Sequence, residues 1–183
     1  MPTAAQDLAF LLSGVEEVEK YLLSAELYWP LSGAGSLPRL TIGGLLLAER
    51  RLQARELDER QAAQLTDARN RLEVARHRWR SAWETKCRRE VRARLDLWKN
   101  FLEDYRQSPE TFGPEFPRQV QWRVLLHLLL KELPPSLPER RSVEEFDALL
   151  KLFWVPDSFV WEAVLAPAFP ADEFWFLYGK LKS

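Results

Sequence analysis

Residues 45–108 read LLLAERRLQARELDERQAAQLTDARNRLEVARHRWRSAWETKCRREVRARLDLWKNFLEDYRQS, 64 residues without Gly or Pro. Ala, Leu, Glu, Arg and Gln dominate, the side chains that lose least rotamer freedom in a helix. Gly43 and Gly44 precede the stretch and Pro109 follows it, the punctuation expected of a helix. The composition predicts one helix over 45–108, about 96 Å long at 1.5 Å per residue. A compact domain of this chain length is roughly 40 Å across. A rod of that length outgrows its own domain and predicts a partner for its apolar side. The alternative is a helical hairpin with its turn near residues 58–67, where Thr66 or Asp67 would cap the second helix.

The apolar positions of this stretch form two sets. Leu65, Ala68, Leu72, Ala75, Trp79 and Trp83 fall in one narrow arc at 100° per residue. Val91, Leu95, Trp98, Leu102 and Tyr105 lie about 80–100° further round. Two faces on one helix require two packing partners or a bend.

Before the stretch, Thr3 and Gln6 are spaced as a capping box, and Leu8, Leu11, Leu12, Val15, Val18, Tyr21 and Leu22 follow at helical spacing. This predicts an N-terminal helix over 1–27, weakened in its middle by Ser13 and Gly14. Residues 28–44, YWPLSGAGSLPRLTIGG, read as a chain-reversing loop with Trp29 and Leu31 turned inward. After it, PETFGPEFP (109–117) is a second breaker-rich loop. Pro117 suits the first turn of a helix over 118–133, with Val120, Val124, Leu125, Leu128 and Leu129 inward. Ser142 and Glu145 are spaced to cap a helix over 143–153, burying Phe146, Leu149, Leu150 and Phe153. The rest is broken by Pro156, Pro167 and Pro170 and carries ten aromatics between Phe146 and Tyr178. Short helical turns are expected there, one over 172–178, with Trp154, Trp161, Trp175 and Phe176 covering the long helix. Strand-type alternation is absent at useful length. The expected fold is all-α in a single domain: a long central helix packed by an N-terminal helix and several shorter C-terminal helices, with long Pro/Gly loops.

Chemistry is sparse in this sequence. The two histidines, His77 and His127, and the single Cys87 are scattered, which argues against a metal centre. Glu73 and His77 share a helix face but supply only two ligands. His127 sits among leucines as a core histidine. Cys87 cannot form an internal disulfide, which fits a reducing, cytoplasmic setting. Neither a nucleophile elbow nor a Walker lysine is present, and SGAGSLP lacks the third glycine of a dinucleotide loop. Carboxylate pairs such as Asp58–Glu59, Glu103–Asp104 and Glu144–Glu145 are neighbours that diverge on a helix. No catalytic residue, metal or cofactor is assigned. Gln6 and Asp7 precede the apolar LAFLLSGV where a secretory signal needs positive charge, and no apolar run is long enough to span a membrane.

Charge is the one suggestive feature. Net charge is −1 overall, yet residues 49–99 carry fifteen basic and nine acidic side chains between two acidic ends. Arg71, Arg78, Arg88, Arg89, Arg92 and Lys99 line one side of the predicted helix, opposite the Leu65–Trp83 arc. Such a stripe suits a phosphate backbone, or else the acidic ends neutralise it. The sequence therefore predicts a non-enzymatic interaction or scaffold protein, self-associating or docked on a larger assembly. A nucleic-acid-binding accessory subunit is the alternative, and a small-ligand binder with an aromatic pocket the third.

Overall fold

Residues 1–32 and 37–182 are described by a computed structural model. The glycines of SGAGSLP, Gly33 and Gly35, lie outside the described residues. The fold is all-α, with one two-stranded pairing, and divides into two compact units, Met1–Glu90 and Val91–Ser183. No described helix is long and apolar enough to cross a membrane.

In the first unit, α1 spans Ala4–Leu23 and begins with the expected capping box of Thr3 and Gln6. Gly14 sits mid-helix because Leu45 crosses there: a Cβ at Gly14 would lie 2.6 Å from Leu45 Cδ2. Trp29 and Ser32 are tied to α1 by a single carboxylate. Glu17 accepts from the Trp29 indole at 2.8 Å and the Ser32 amide at 2.7 Å. Those bonds hold its carboxyl below the usual range. Trp29 also pairs with Leu40 through backbone hydrogen bonds in both directions, and both Trp29 and Leu31 are half-buried.

The unbroken helix over 45–108 does not form. Three pieces replace it: α2 (Ile42–Gln53), α3 (Glu59–Arg78) and α4 (Arg80–Gln107). Thr41 caps α2 by accepting from the Gly44 amide at 3.0 Å, so both glycines lie inside the helix. The turn occupies 54–58, just N-terminal to the position expected of a hairpin. Asp58 is the cap there, forming a box with Gln61, while Thr66 lies within α3 and donates to the Ala62 carbonyl. A local side-chain acceptor thus starts a new helix in a stretch that holds no Gly or Pro. Reversal brings the Leu65, Ala68, Leu72 and Ala75 face of α3 into the core of this unit, where α1 and α2 pack with it. The second break is at Trp79, whose φ of −113° and ψ of 38° leave the helical region. The longest piece, α4, has 28 residues and is about 42 Å long.

The second unit begins within α4 and continues through short helices α5 (Pro109–Phe112), α6 (Phe116–Gln119), α7 (Gln121–Lys131) and α8 (Glu139–Phe153). The helix expected over 118–133 is interrupted at Val120, although its five inward positions are all buried. Ser142 does not cap α8, which starts three residues earlier. Where only short helical turns are expected, a strand pair also forms. Trp154–Pro156 (β1) and Gly179–Leu181 (β2) form an antiparallel pair, with Trp154 opposite Leu181. Three residues per strand are too few for alternation to register in sequence. Between them run 3₁₀ turns at Ala163–Ala168 and Trp175–Leu177. Trp161, Phe169, Phe174 and Phe176 are buried and meet edge to face, with centroids 5.2–6.1 Å apart along the chain of contacts. Trp154 and Trp175 remain half-buried.

Candidate functional site

The six stripe residues have individual fates. In the first unit, Arg71 pairs with Glu16 at 2.5 Å, Arg78 with Glu19 at 3.5 Å and Arg88 with Glu84 at 4.0 Å. Arg89 donates to the Ala25 carbonyl at 2.7 Å. In the second unit, Arg92 meets Glu139 at 2.9 Å and Lys99 meets Glu103 at 3.7 Å. Five of the six thus face a carboxylate, three of them supplied by α1 and α8. In every pair the cation stays exposed to solvent, so the charges are close but each bond is weak.

A different grouping emerges at the Trp79 bend. The end of α1, the end of α3 and the first turns of α4 enclose a hollow of about 430 Å³. Arg78, Arg80, Lys86 and Arg89 all line it, together with Ser24, Ser81 and Thr85, and no carboxylate is among its described lining residues. The positions follow from the helix period. Residues 78, 82, 85 and 89 fall on one face of a helix, and the bend at Trp79 brings Arg80 to the same hollow. Arg78 stacks on the Trp79 ring, 5.3 Å from its centroid. Arg80 donates to Glu84 at 2.7 Å.

Lys86 makes this hollow unusual. Only 2% of the residue is exposed. Its ammonium donates to the Ser24 carbonyl at 2.9 Å, the Ser24 hydroxyl at 3.3 Å and the Glu26 carbonyl. It also lies 4.4 Å from the centroid of the buried Tyr21 ring. All its hydrogen-bond partners are neutral oxygens. Burial pushes its pKa down, the positive charge of Arg89 adds to that, and the Glu26 carboxylate opposes it. The site therefore holds a buried cation beside a second one, Arg89, and both are tethered to carbonyls.

Other hollows in this unit are chemically mixed. One of about 470 Å³ contains Arg69 paired with Glu49 at 2.8 Å and Arg76 paired with Glu73 at 3.2 Å. Another of about 650 Å³ sets Glu16 and Asp67 beside Arg60 and Arg71. The remaining buried ionic groups act as clamps. Arg51 forks onto Asp7 at 2.5 and 2.9 Å, and Arg123 onto Asp147 at 2.7 Å twice. The buried Glu90 carboxylate accepts from the Gly43 amide at 2.8 Å, at the N-terminus of α2. Among the described residues, no group of three or more His, Cys, Asp or Glu is arranged to hold a metal.

Of the sequence-predicted residues, only Arg78 and Arg89 belong to the hollow. Arg80 and Lys86 escape a stripe drawn on an unbroken helix, because the Trp79 bend and the Ser24, Ala25 and Glu26 backbone create their setting. The repeat of small or basic residues at 78, 82, 85, 86 and 89 was the available signal. Comparison with known protein families, curated proteins and solved structures finds no match to this chain.

Proposed function

We propose that this chain is a non-enzymatic interaction protein, a subunit that holds an acidic partner against the basic hollow of its first unit. One observation carries the reading: four cationic side chains converge on a recess whose described lining contains no carboxylate. A rigid helical frame presents them, and three of the four, Arg78, Arg80 and Arg89, reach solvent. Self-association through the Leu65–Trp83 arc has weaker support, because Leu65, Ala68, Leu72, Ala75 and Trp83 are buried in the chain itself. A nucleic-acid rail along the stripe is disfavoured in the same way by the five carboxylate pairings.

Chromatography on immobilised polyglutamate tests this. With a net charge of −1, the whole chain has no reason to bind a polyanion, so retention at low salt reports a local patch. Arg78→Glu with Arg80→Glu should abolish retention. Arg118→Glu with Arg141→Glu makes the same change in net charge at two paired, exposed arginines of the second unit, and should leave most of it. Equal loss in both variants overturns the proposal.

A further inference from the structure

We infer that the hollow at the Trp79 bend is a receptor for a single phosphate monoester group, bound by Arg78, Arg80, Arg89 and the Ser81 hydroxyl over the buried Lys86. This rests on the interaction reading and narrows its ligand.

The argument begins with what surrounds each cation. Lys86 uses its three N–H bonds on neutral oxygens, so its charge is neither cancelled by a hydrogen-bonded carboxylate nor freely hydrated. In a poorly solvated setting that charge projects further than it would in water. Arg89, also on a carbonyl, adds to the same field. An anion in the recess relieves the repulsion between these two groups. Lys86 itself is too buried to make direct contact and supplies the field. Direct contacts fall to the exposed guanidiniums. The carboxylates that face Arg78 and Arg80 are Glu19 at 3.5 Å and Glu84 at 2.7 Å, and the two arginine side chains are 64% and 48% exposed. Exchanging such a partner for a better one costs little.

The donor set selects the anion. Each guanidinium is a planar fork suited to two oxygens of one group. Three forks and a hydroxyl exceed what a carboxylate can accept, but match a tetrahedral group with several terminal oxygens. A phosphate monoester also concentrates nearly two charges at one point, as the convergence of cations demands. A phosphodiester carries one charge per phosphate and requires an extended array, which the paired stripe does not offer.

The test is an amide and indole NMR titration of the full chain at low salt. Three probes are used: inorganic phosphate, a short phosphoserine peptide and a ten-residue oligothymidylate without terminal phosphate. Phosphate should give saturable shifts centred on Ser81, Arg89 and the Trp79 indole. Arg78→Ala with Arg80→Ala should weaken it roughly tenfold or more. Glu84→Gln frees Arg80 and should tighten it about threefold, a gain that misfolding cannot imitate. Equal affinity for phosphate and the peptide marks recognition of the group alone, whereas a tighter peptide identifies a phosphorylated partner as the source. Absent saturation with both, no gain in Glu84→Gln, or tighter binding of the oligothymidylate each overturns the inference. If polyglutamate retention still depends on Arg78 and Arg80 in that event, the interaction reading survives and only its narrowing fails.

Discussion

The two units are nearly equal in length, but six aromatic side chains lie before residue 91 and sixteen after it. Their helix ends differ to match. Thr3, Thr41 and Asp58 each accept a hydrogen bond at the start of α1, α2 and α3. None of α5, α6, α7 and α8 has a side-chain cap. Helix boundaries in the first unit are thus written locally, in residues adjacent to the bonds they satisfy. Those of the second unit are set by prolines and by where large rings fit. The first unit buries charge of both signs, at Asp7, Arg51, Lys86 and Glu90, whereas the second packs rings against rings and lays its buried cations, Arg94 and Arg123, on aromatic faces. Stability in the former should depend on polar pairing, and in the latter on shape.

The sharpest way to break that contrast is to remove one partner of each arginine clamp. Arg51→Met leaves Asp7, 2% exposed, charged and alone. Losses of this kind cost about 3–5 kcal/mol. Arg123→Met strands Asp147, whose side chain keeps 17% exposure and reaches water, so its cost should be smaller. Urea unfolding measures both. Adding Asp7→Asn to Arg51→Met should recover much of the loss, because a buried amide is cheaper than a buried carboxylate. Equal costs for the two clamps would dissolve the distinction between the units.

Shape is tested at Gly179. A Cβ there would sit 2.2 Å from the Trp154 ring, in the β1–β2 pairing. The ring is rigid and cannot retract as an alkyl tip would. Gly179→Ala should cost about 1–3 kcal/mol and shift the near-UV signal of Trp154 and Trp175, which meet edge-on at 5.1 Å. In the first unit, Asp58→Ala removes only a cap and should cost about 1 kcal/mol with no change in tryptophan environment. A larger loss at Asp58 than at Gly179 would reverse the assignment of local and packing control.

The same contrast explains what was legible. The Thr3 capping box, the apolar face of α1, and the burial of Leu65, Leu72, Val91 and Trp98 were all readable from period and cap chemistry. The break before Glu59 was harder. Asp58 and Gln61 spell a capping box, but in a stretch free of Gly and Pro the helix propensity of the neighbours obscured it. The Ser142 box failed because α8 extends back to Glu139, where Arg140 caps the end of α7 by donating to the Leu133 carbonyl at 2.9 Å. That bond spans only seven residues, but it depends on how the turn between α7 and α8 folds and follows no capping-box pattern. The hollow was half-legible for a related reason. Arg78 and Arg89 share a helix face, whereas Lys86 owes its surroundings to carbonyls some 60 residues earlier in the chain.

His127 offers the smallest effect and the finest distinction. It lies on α7, with its ring 4.5 Å from that of Phe174 and its Nε2 3.2 Å from Glu173. Lys131 also pairs with Glu173, and Arg123 lies near on the same helix. Burial pushes the imidazole pKa below its ordinary 6.5; Arg123 and Lys131 push the same way, and the Glu173 hydrogen bond opposes them. The unfolded chain then takes up a proton at a pH where the folded one stays neutral. Stability contributed by the neutral ring is complete above about pH 6.5 and declines as pH falls toward the folded value. The carboxylates held low by hydrogen bonds, Glu16, Glu17 and Asp157, release their contributions only at more acid pH. A shallow fall in the stability of the second unit between pH 7 and 5 should therefore belong to His127, and His127→Gln should flatten it. The observable is urea unfolding across that range, read from the tryptophans of the second unit. A slope unchanged in His127→Gln would mean that Glu173 stabilises the charged ring as much as burial and the Arg123 and Lys131 charges disfavour it, and that this ring-packed unit too relies on a polar pair.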